Sequence, residues 1–202
     1  MLYIKPMVEI VNSILRQTGL NDKKYQSGRY EALAVDVTRK TTGENGGAVL
    51  EVFPATVNST SGEQIAVSPD DTYPITVYSK LIGGRFQNLQ KQFGDGNSHV
   101  QQIAELKMVV FGKRSALLMS AEELAAQIFA GFPDVVSNTH YSDVNIDSMN
   151  VTITSINMVQ AAVFAEEFRG RELFISADDI YFSIRYTIES THRKECFATS
   201  DC

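Results

Sequence analysis

Two short segments carry residue types that could bind a ligand, namely a phosphate group or a calcium ion. Residues 112–115 read Gly-Lys-Arg-Ser, like the end of a phosphate-binding loop, but Lys107 occupies the position of the first glycine of that motif. Residues 143–147 have the spacing of the first three oxygen ligands of a calcium loop. Ser148 replaces its glycine, however, and Thr154 replaces its bidentate glutamate. We dismiss the phosphate site and interpret the second segment as a solvated loop or strand edge.

Histidine and cysteine, the usual metal ligands and nucleophiles, are sparse. The three histidines, His99, His140 and His192, lie far apart, and no two have the spacing of metal ligands on a helix. Cys196 and Cys202 are interpreted as two reduced thiols, since two cysteines do not make a disulfide framework. Adjacent carboxylates at 166–167 and 178–179 would point to opposite faces of a strand. We therefore expect no catalytic residue, no metal site and no cofactor.

The composition is that of a folded domain with an acidic balance. The chain has 202 residues, of which 44% are hydrophobic, and a formal net charge of −6. Basic residues are scattered rather than gathered into a stripe, which argues against sequence-specific recognition of nucleic acid. No apolar run is long enough for a membrane helix, and the first residues lack the pattern of a signal peptide.

The hydrophobic spacing predicts two helices. Residues 7–17 place their apolar side chains on one helical face, after Pro6 and before Gly19, which suit the first turn and the C-terminal cap. A second helix is predicted from Ser120, which forms a capping box with Glu123, and it ends before the glycine and proline at 131 and 133.

Strands are predicted before and after the second helix. Four precede it, at residues 33–38, 48–58, 73–82 and 103–111, and two or three follow it, at residues 149–158, 173–175 and 180–188. Residues 160–169 fit either a strand or a short helix. This order favours an α+β fold: a twisted, mainly antiparallel sheet with an N-terminal helix and a second helix packed on one face. Residues 1–190 are interpreted as a single domain and residues 191–202 as a polar tail.

Residues 85–102 are unusually rich in glutamine and asparagine and are predicted to form a long loop or extended arm. Two interpretations stay open at this point: a solvated hairpin tip, or an arm that reaches a neighbouring subunit and adds hydrogen bonds or a strand to an exposed sheet edge. In the second interpretation, the candidate subunit interface consists of Phe86, Gln87, Gln90, Phe93 and Gln101.

The order of elements resembles that of the tail terminator, or tail-completion, proteins at the neck of tailed bacteriophages. The matching features are the opening helix, the strand at 73–78, the strand at 105–111 leading into the capped helix at 121–130, and the closing strand at 180–188. The resemblance implies a structural virion protein, present in the host cytoplasm before assembly. It would form a homo-oligomeric ring, six-fold or higher, that caps the tail and joins it to the head connector.

The same resemblance implies other neck, connector and tail proteins as partners, and passage of DNA without sequence-specific binding. The acidic charge is compatible with such a conduit, because an acidic wall repels the phosphate backbone. A closed ring also needs two different surfaces on each copy that match head to tail. The alternative is a soluble α+β enzyme, or a module that binds a small ligand or partner, and it would need a pocket with convergent polar groups.

Overall fold

The computed structural model describes residues 4–19, 28–42, 46–58, 61–67, 73–89, 99–141, 144–170 and 175–193. The helices are α1 (Ile4–Ile14), which continues as a π-helical turn (Leu15–Gly19), α2 (Arg114–Leu117), α3 (Ala121–Gly131) and α4 (Gln160–Glu167). The strands are β1 (Arg29–Leu33), β2 (Val35–Thr42), β3 (Ala48–Val57), β4 (Gln64–Ala66), β5 (Ile75–Leu89), β6 (His99–Lys113), β7 (Val135–Tyr141), β8 (Val144–Asn157) and β9 (Asp179–Arg193).

The strands form two sheets. The larger has six strands in the order β1-β5-β6-β9-β8-β7, and the smaller has the order β2-β3-β4. Every pairing is antiparallel except that of β1 with β5. The chain passes from one sheet to the other at Ala34, whose N–H donates to the carbonyl of Ser79 at 2.8 Å. The predicted α+β fold with a mainly antiparallel sheet is confirmed.

The first face of the six-stranded sheet holds the main core. The predicted alternation of β9 is observed, because its five apolar residues are all buried on this face together with four residues of β6: Ala104, Leu106, Met108 and Val110. Helices α1 and α3 cover them. The capping box of α3 is present, with Ser120 Oγ accepting from the N–H of Glu123 at 3.1 Å. Helix α3, the second of the two predicted helices, therefore packs on one face of the sheet, as predicted.

The second face of the same sheet is also covered, which the sequence patterns did not predict. Tyr78, Phe111 and Tyr181, from the adjacent strands β5, β6 and β9, pack against Phe164 of α4 and Phe168, which directly follows it. The Phe111 and Tyr181 rings meet edge to face, 5.1 Å between centroids. The ambiguous segment 160–169 is thus mainly helical, because its apolar residues at helical spacing cover this second core.

The structure differs from the predicted strands in several places. The strand predicted at 33–38 divides at Ala34 between two sheets. The polar segment before residue 149 was predicted to be a loop, but it contains β7 and the start of β8. A search for alternating apolar residues does not detect such polar strands, because the hydrogen bonds that hold them in the sheet join backbone groups and do not require apolar side chains. Strand β4 was not predicted, and the strand predicted at 173–175 lies outside the described residues except for Ile175.

Candidate functional site

The predicted arm is the outer part of a long β-hairpin. Strand β5 continues through two glycines, and its Leu89 pairs with His99 at the start of β6. Of the two forms predicted for this segment, a loop or an extended arm, residues 85–89 and 99–102 have the extended form, and residues 90–98 lie outside the described residues. A β-bulge with one extra residue, Ile82, lies just before Gly83 and Gly84. The pairing of β5 with β6 continues after this bulge, at the position where the two glycines suggested the end of the strand.

Three of the five candidate interface residues, Phe86, Gln87 and Gln101, fall in the outer part of this hairpin. Phe86 lies opposite Gln102, and its side chain is 60% exposed. Gln87 lies opposite the half-buried Gln101 in the strand pairing. Two further candidates, Gln90 and Phe93, lie outside the described residues. The structure therefore brings Phe86, Gln87 and Gln101 to one place, and their contact with another subunit stays a prediction.

The outer half of β5, by which we mean residues 80–89, forms part of one edge of the six-stranded sheet as far as the described strands show. Strand β1 pairs with β5 only as far as Ser79. Among the described strands, β6 alone pairs with the outer half of β5. Ile82 and Phe86 are 49% and 60% exposed along it. A long edge strand with exposed apolar side chains is a template for pairing with another chain.

The opposite edge is formed by β7, which pairs only with β8 among the described strands. Val135, its first residue, is 63% exposed, and the neighbouring Phe129 at the end of α3 is 55% exposed. A cleft of about 460 Å³ lies here, and its charged lining residues, Asp134 and Glu189, are both acidic. Glu189 lies on β9, with β8 between it and β7, so we call β7 together with Phe129 and Asp134 the β7 edge.

A groove of about 740 Å³ separates α1 from the smaller sheet. Arg16 lies over the ring of Tyr30, 4.9 Å from its centroid, and the side-chain amide of Asn12 donates to the carbonyl of Glu31 at 3.2 Å. These contacts attach α1 and the π-helical turn after it to β1. The groove contains Lys5, Glu9, Arg16 and Glu31, so its lining has no excess of either charge.

A buried ionic group, here called the Glu167 cluster, joins α4 to the larger sheet and consists of Glu167, Tyr78, Lys80 and Lys107. The fully buried Glu167 carboxylate accepts from the Tyr78 hydroxyl at 2.6 Å, and the Lys80 ammonium lies 2.6 Å from the same oxygen. Lys107 forms an ion pair with the other oxygen. The two lysines lie directly opposite each other on β5 and β6, where their like charges would repel without this carboxylate.

Further ion pairs extend this cluster to the smaller sheet. Asp36 of β2 pairs with Lys80 and, at 3.2 Å, with Arg169 just after α4. Glu166 pairs with Lys107 at 3.2 Å. The sequence patterns did not predict this cluster. Lys80 and Lys107, which lie on the same face of the sheet as Tyr78 and Phe111, were a signal that could have indicated it. The ion pairs therefore hold α4 and the two sheets together, and each charged group of the cluster has a partner of opposite charge.

Two tyrosines are predicted to keep their protons until the protein unfolds. Burial, followed by the Glu167 charge, raises the pKa of Tyr78 well above 10.0, and burial raises the pKa of Tyr186 in the same direction. Above about pH 10 the folded state then holds more protons than the unfolded state. Stability should therefore fall with rising pH by up to about 1.4 kcal/mol per pH unit for each tyrosine.

The check is an alkaline titration that follows tyrosinate absorbance and circular dichroism together. Among the eight tyrosines, at least two should ionise only with the unfolding transition, and Tyr78→Phe should remove one of them. Ionisation of every tyrosine before any loss of structure would contradict this prediction.

His192 and the glycine-lysine segment have structural partners. His192 is buried in β9, not in an irregular tail as predicted, and its Nε2 lies 2.9 Å from the equally buried Ser190 hydroxyl. The hydroxyl and the backbone N–H of Ser115 both donate to Asp178, each at 2.7 Å. Lys113 pairs with Asp179 at 2.7 Å, so this segment closes onto carboxylates.

The remaining sequence candidates have the following outcome. Residues 144–147 of the calcium-like segment lie in β8, and residue 143 lies outside the described ranges, as do both cysteines. No group of three or more His, Cys, Asp or Glu that could hold a metal ion occurs among the described residues. The described helices include none with the length and apolarity to cross a membrane.

Neither a protein-family model nor a curated protein matches the chain.

Proposed function

We propose that this chain is a structural subunit of a bacteriophage neck. Copies form a homo-oligomeric ring, six-fold or higher, that caps the tail and joins it to the head connector. The observation that carries the proposal is the pair of unlike edges at opposite ends of the six-stranded sheet, where the described residues supply no second partner strand. A cyclic ring needs two different surfaces on each copy, because every subunit contacts its neighbours head to tail.

The exposed side chains along these edges support assembly. Phe86 on one edge and Val135 on the other are each more than half exposed. Soluble monomers usually protect long edges with charges, prolines or a covering segment, since open edges pair with other chains. Exposed apolar groups at both edges fit a subunit that buries them against other copies.

The acidic charge supports the remaining part of the proposal. Each copy adds six formal negative charges, and an acidic conduit lets DNA pass because it does not hold the phosphates. Other neck, connector and tail proteins would contact the two rims of the ring. The protein would lie in the host cytoplasm before assembly and in the virion afterwards.

The ring is tested with the purified full chain, by mass photometry and negative-stain electron microscopy over a concentration series. Rings of uniform size with an opening wide enough for duplex DNA are expected. A chain that stays monomeric up to roughly 100 µM, where an association of about 5.5 kcal/mol is half complete, would contradict the ring. That result would favour the alternative, a soluble enzyme or binding module.

The place of the ring is tested by immunogold labelling of tailed particles from a culture that carries the gene. Label at the junction of head and tail supports a neck protein. Label elsewhere, or unlabelled particles, would contradict that position even if rings form.

The role of residues 90–98 is tested by replacing them with an Asn-Gly turn, which suits a two-residue connection between Leu89 and His99. Weakened assembly with unchanged thermal stability would support Gln90 and Phe93 as interface residues. Unchanged assembly would restrict the interface to the paired strands.

A further inference from the structure

We propose that the groove between α1 and the smaller sheet, called the α1 groove below, binds an uncharged small molecule with an apolar body and one hydrogen-bond donor. The groove has a volume of about 740 Å³, within the range of roughly 300 to 1,000 Å³ that is typical of small-molecule sites. Side chains of α1 and of strands β1 to β4 line it. The proposal goes beyond the ring, because it needs only a single copy of the chain.

Asn12 is the residue that points to a ligand. It lines the groove from α1, although only 5% of its surface is exposed. Its side-chain NH2 group must face the carbonyl of Glu31, because a carbonyl only accepts hydrogen bonds. This arrangement leaves Oδ1 as a buried acceptor with no hydrogen-bond partner in the described part of the chain. An unpaired buried acceptor costs stability, and a donor on a bound molecule would remove that cost.

The wall of the groove that faces α1 is apolar. Val35, Val57 and Ile65 line it, and each exposes between 44% and 48% of its surface. They come from the three strands of the smaller sheet, β2, β3 and β4. A molecule bound in the groove would remove this apolar surface from water. The ligand should therefore place its apolar body against the smaller sheet and its donor toward α1.

The charged side chains that line the groove among the described residues already have partners. Lys5 and Glu9 lie 4.0 Å apart on α1, and Glu31 pairs with Arg29 at 2.9 Å. Arg16 lies over an aromatic ring of β1. A charged ligand would lose water without gaining a free counter-charge, and it would compete with these contacts. The groove therefore suits an uncharged ligand.

Binding is tested with N-phenylnaphthylamine, an uncharged aromatic molecule with one N–H donor whose fluorescence rises in an apolar site. Saturable binding to the full chain is expected. Its N-methyl derivative lacks the donor and should bind about three- to tenfold more weakly, which is the usual effect of one hydrogen bond. Anilinonaphthalene sulfonate, which adds a negative charge to the same rings, should also bind more weakly.

Variants assign the contacts in the groove. Asn12→Leu removes the acceptor and should weaken binding of N-phenylnaphthylamine by about three- to tenfold, while binding of the N-methyl derivative stays within about twofold. Ile65→Asn should weaken both molecules, because it removes apolar surface from the wall. Leu50→Asn is the matched control. Leu50 is 62% exposed on the same sheet but lies outside the lining of the groove, so neither affinity should change.

Methyl resonances locate the site in the unmodified chain, so the test does not depend on how well a variant folds. Those of Val57 and Ile65 should shift when N-phenylnaphthylamine is added, and those of Leu50 should not. The proposal is overturned by shifts confined to other parts of the chain, by equal weakening of both molecules in Asn12→Leu, or by the absence of saturable binding. Ring formation is measured separately, so none of these outcomes bears on the ring.

Discussion

Replacing Glu167 with alanine is expected to lower the free energy of unfolding by about 3 to 5 kcal/mol, which is the usual cost of removing one partner from a buried ion pair. The Glu167 carboxylate is fully buried and contacts Tyr78, Lys80 and Lys107. Without it, two lysines on adjacent strands lie opposite each other with no buried counter-charge between them. The Tyr78 hydroxyl also loses its acceptor in a buried site.

The measurement is urea denaturation at neutral pH, with Glu166→Ala as the matched control. Glu166 is the preceding residue and also pairs with Lys107, but its side chain is 50% exposed, so its removal should cost less than about 1 kcal/mol. Tyr78→Phe should cost about 1 to 2 kcal/mol, since it removes a single hydrogen bond to the carboxylate. Equal effects of Glu167→Ala and Glu166→Ala would show that the cluster does not depend on the buried carboxylate.

Replacing Gly170 with alanine is expected to destabilise the protein by about 2 to 4 kcal/mol. Two physical terms add at this position. The backbone has a φ of +80°, which costs a residue with a Cβ about 1 to 2 kcal/mol. That Cβ would also overlap the backbone carbonyl of Leu50, which has no flexible end that could move away. The smaller sheet would have to shift away from α4.

Gly62→Ala separates the two terms. Gly62 has a similar φ of +70° but nothing within 4 Å of the position of a Cβ, so only the backbone cost of about 1 to 2 kcal/mol applies. Thermal unfolding of the two variants measures the difference. A Gly170→Ala variant no less stable than Gly62→Ala would mean that the approach to Leu50 does not restrain the smaller sheet.

Glu167 and Gly170 together explain how the smaller sheet is attached. The adjacent Arg169 accepts a backbone hydrogen bond from Val52 at 2.9 Å and also forms an ion pair with Asp36. Helix α4 therefore connects the two sheets. The Glu167 cluster holds it to the larger sheet, and Arg169, just after the helix, holds it to the smaller sheet. Both variants should weaken this layer first, and hydrogen exchange would place the earliest opening in β2 and β3.

The local patterns determined much of the fold. Five alternating apolar residues predicted the buried face of β9, and the Ser120–Glu123 pair predicted the start of α3. These predictions held because side-chain period and helix capping depend on neighbours a few residues away. The mixed fold class followed from the order of such elements.

Tertiary structure alone decided the remaining features. Glu167 meets Tyr78 and Lys80 across more than eighty residues of chain, so no spacing rule predicts that its carboxylate is buried between two lysines. The glycines after Ile82 suggested a strand end, but pairing with β6 extended the hairpin and left its outer edge open. Sequence determines which segments are able to pair. Which edges stay unpaired depends on the order in which all the strands come together, because an edge is a property of the whole sheet.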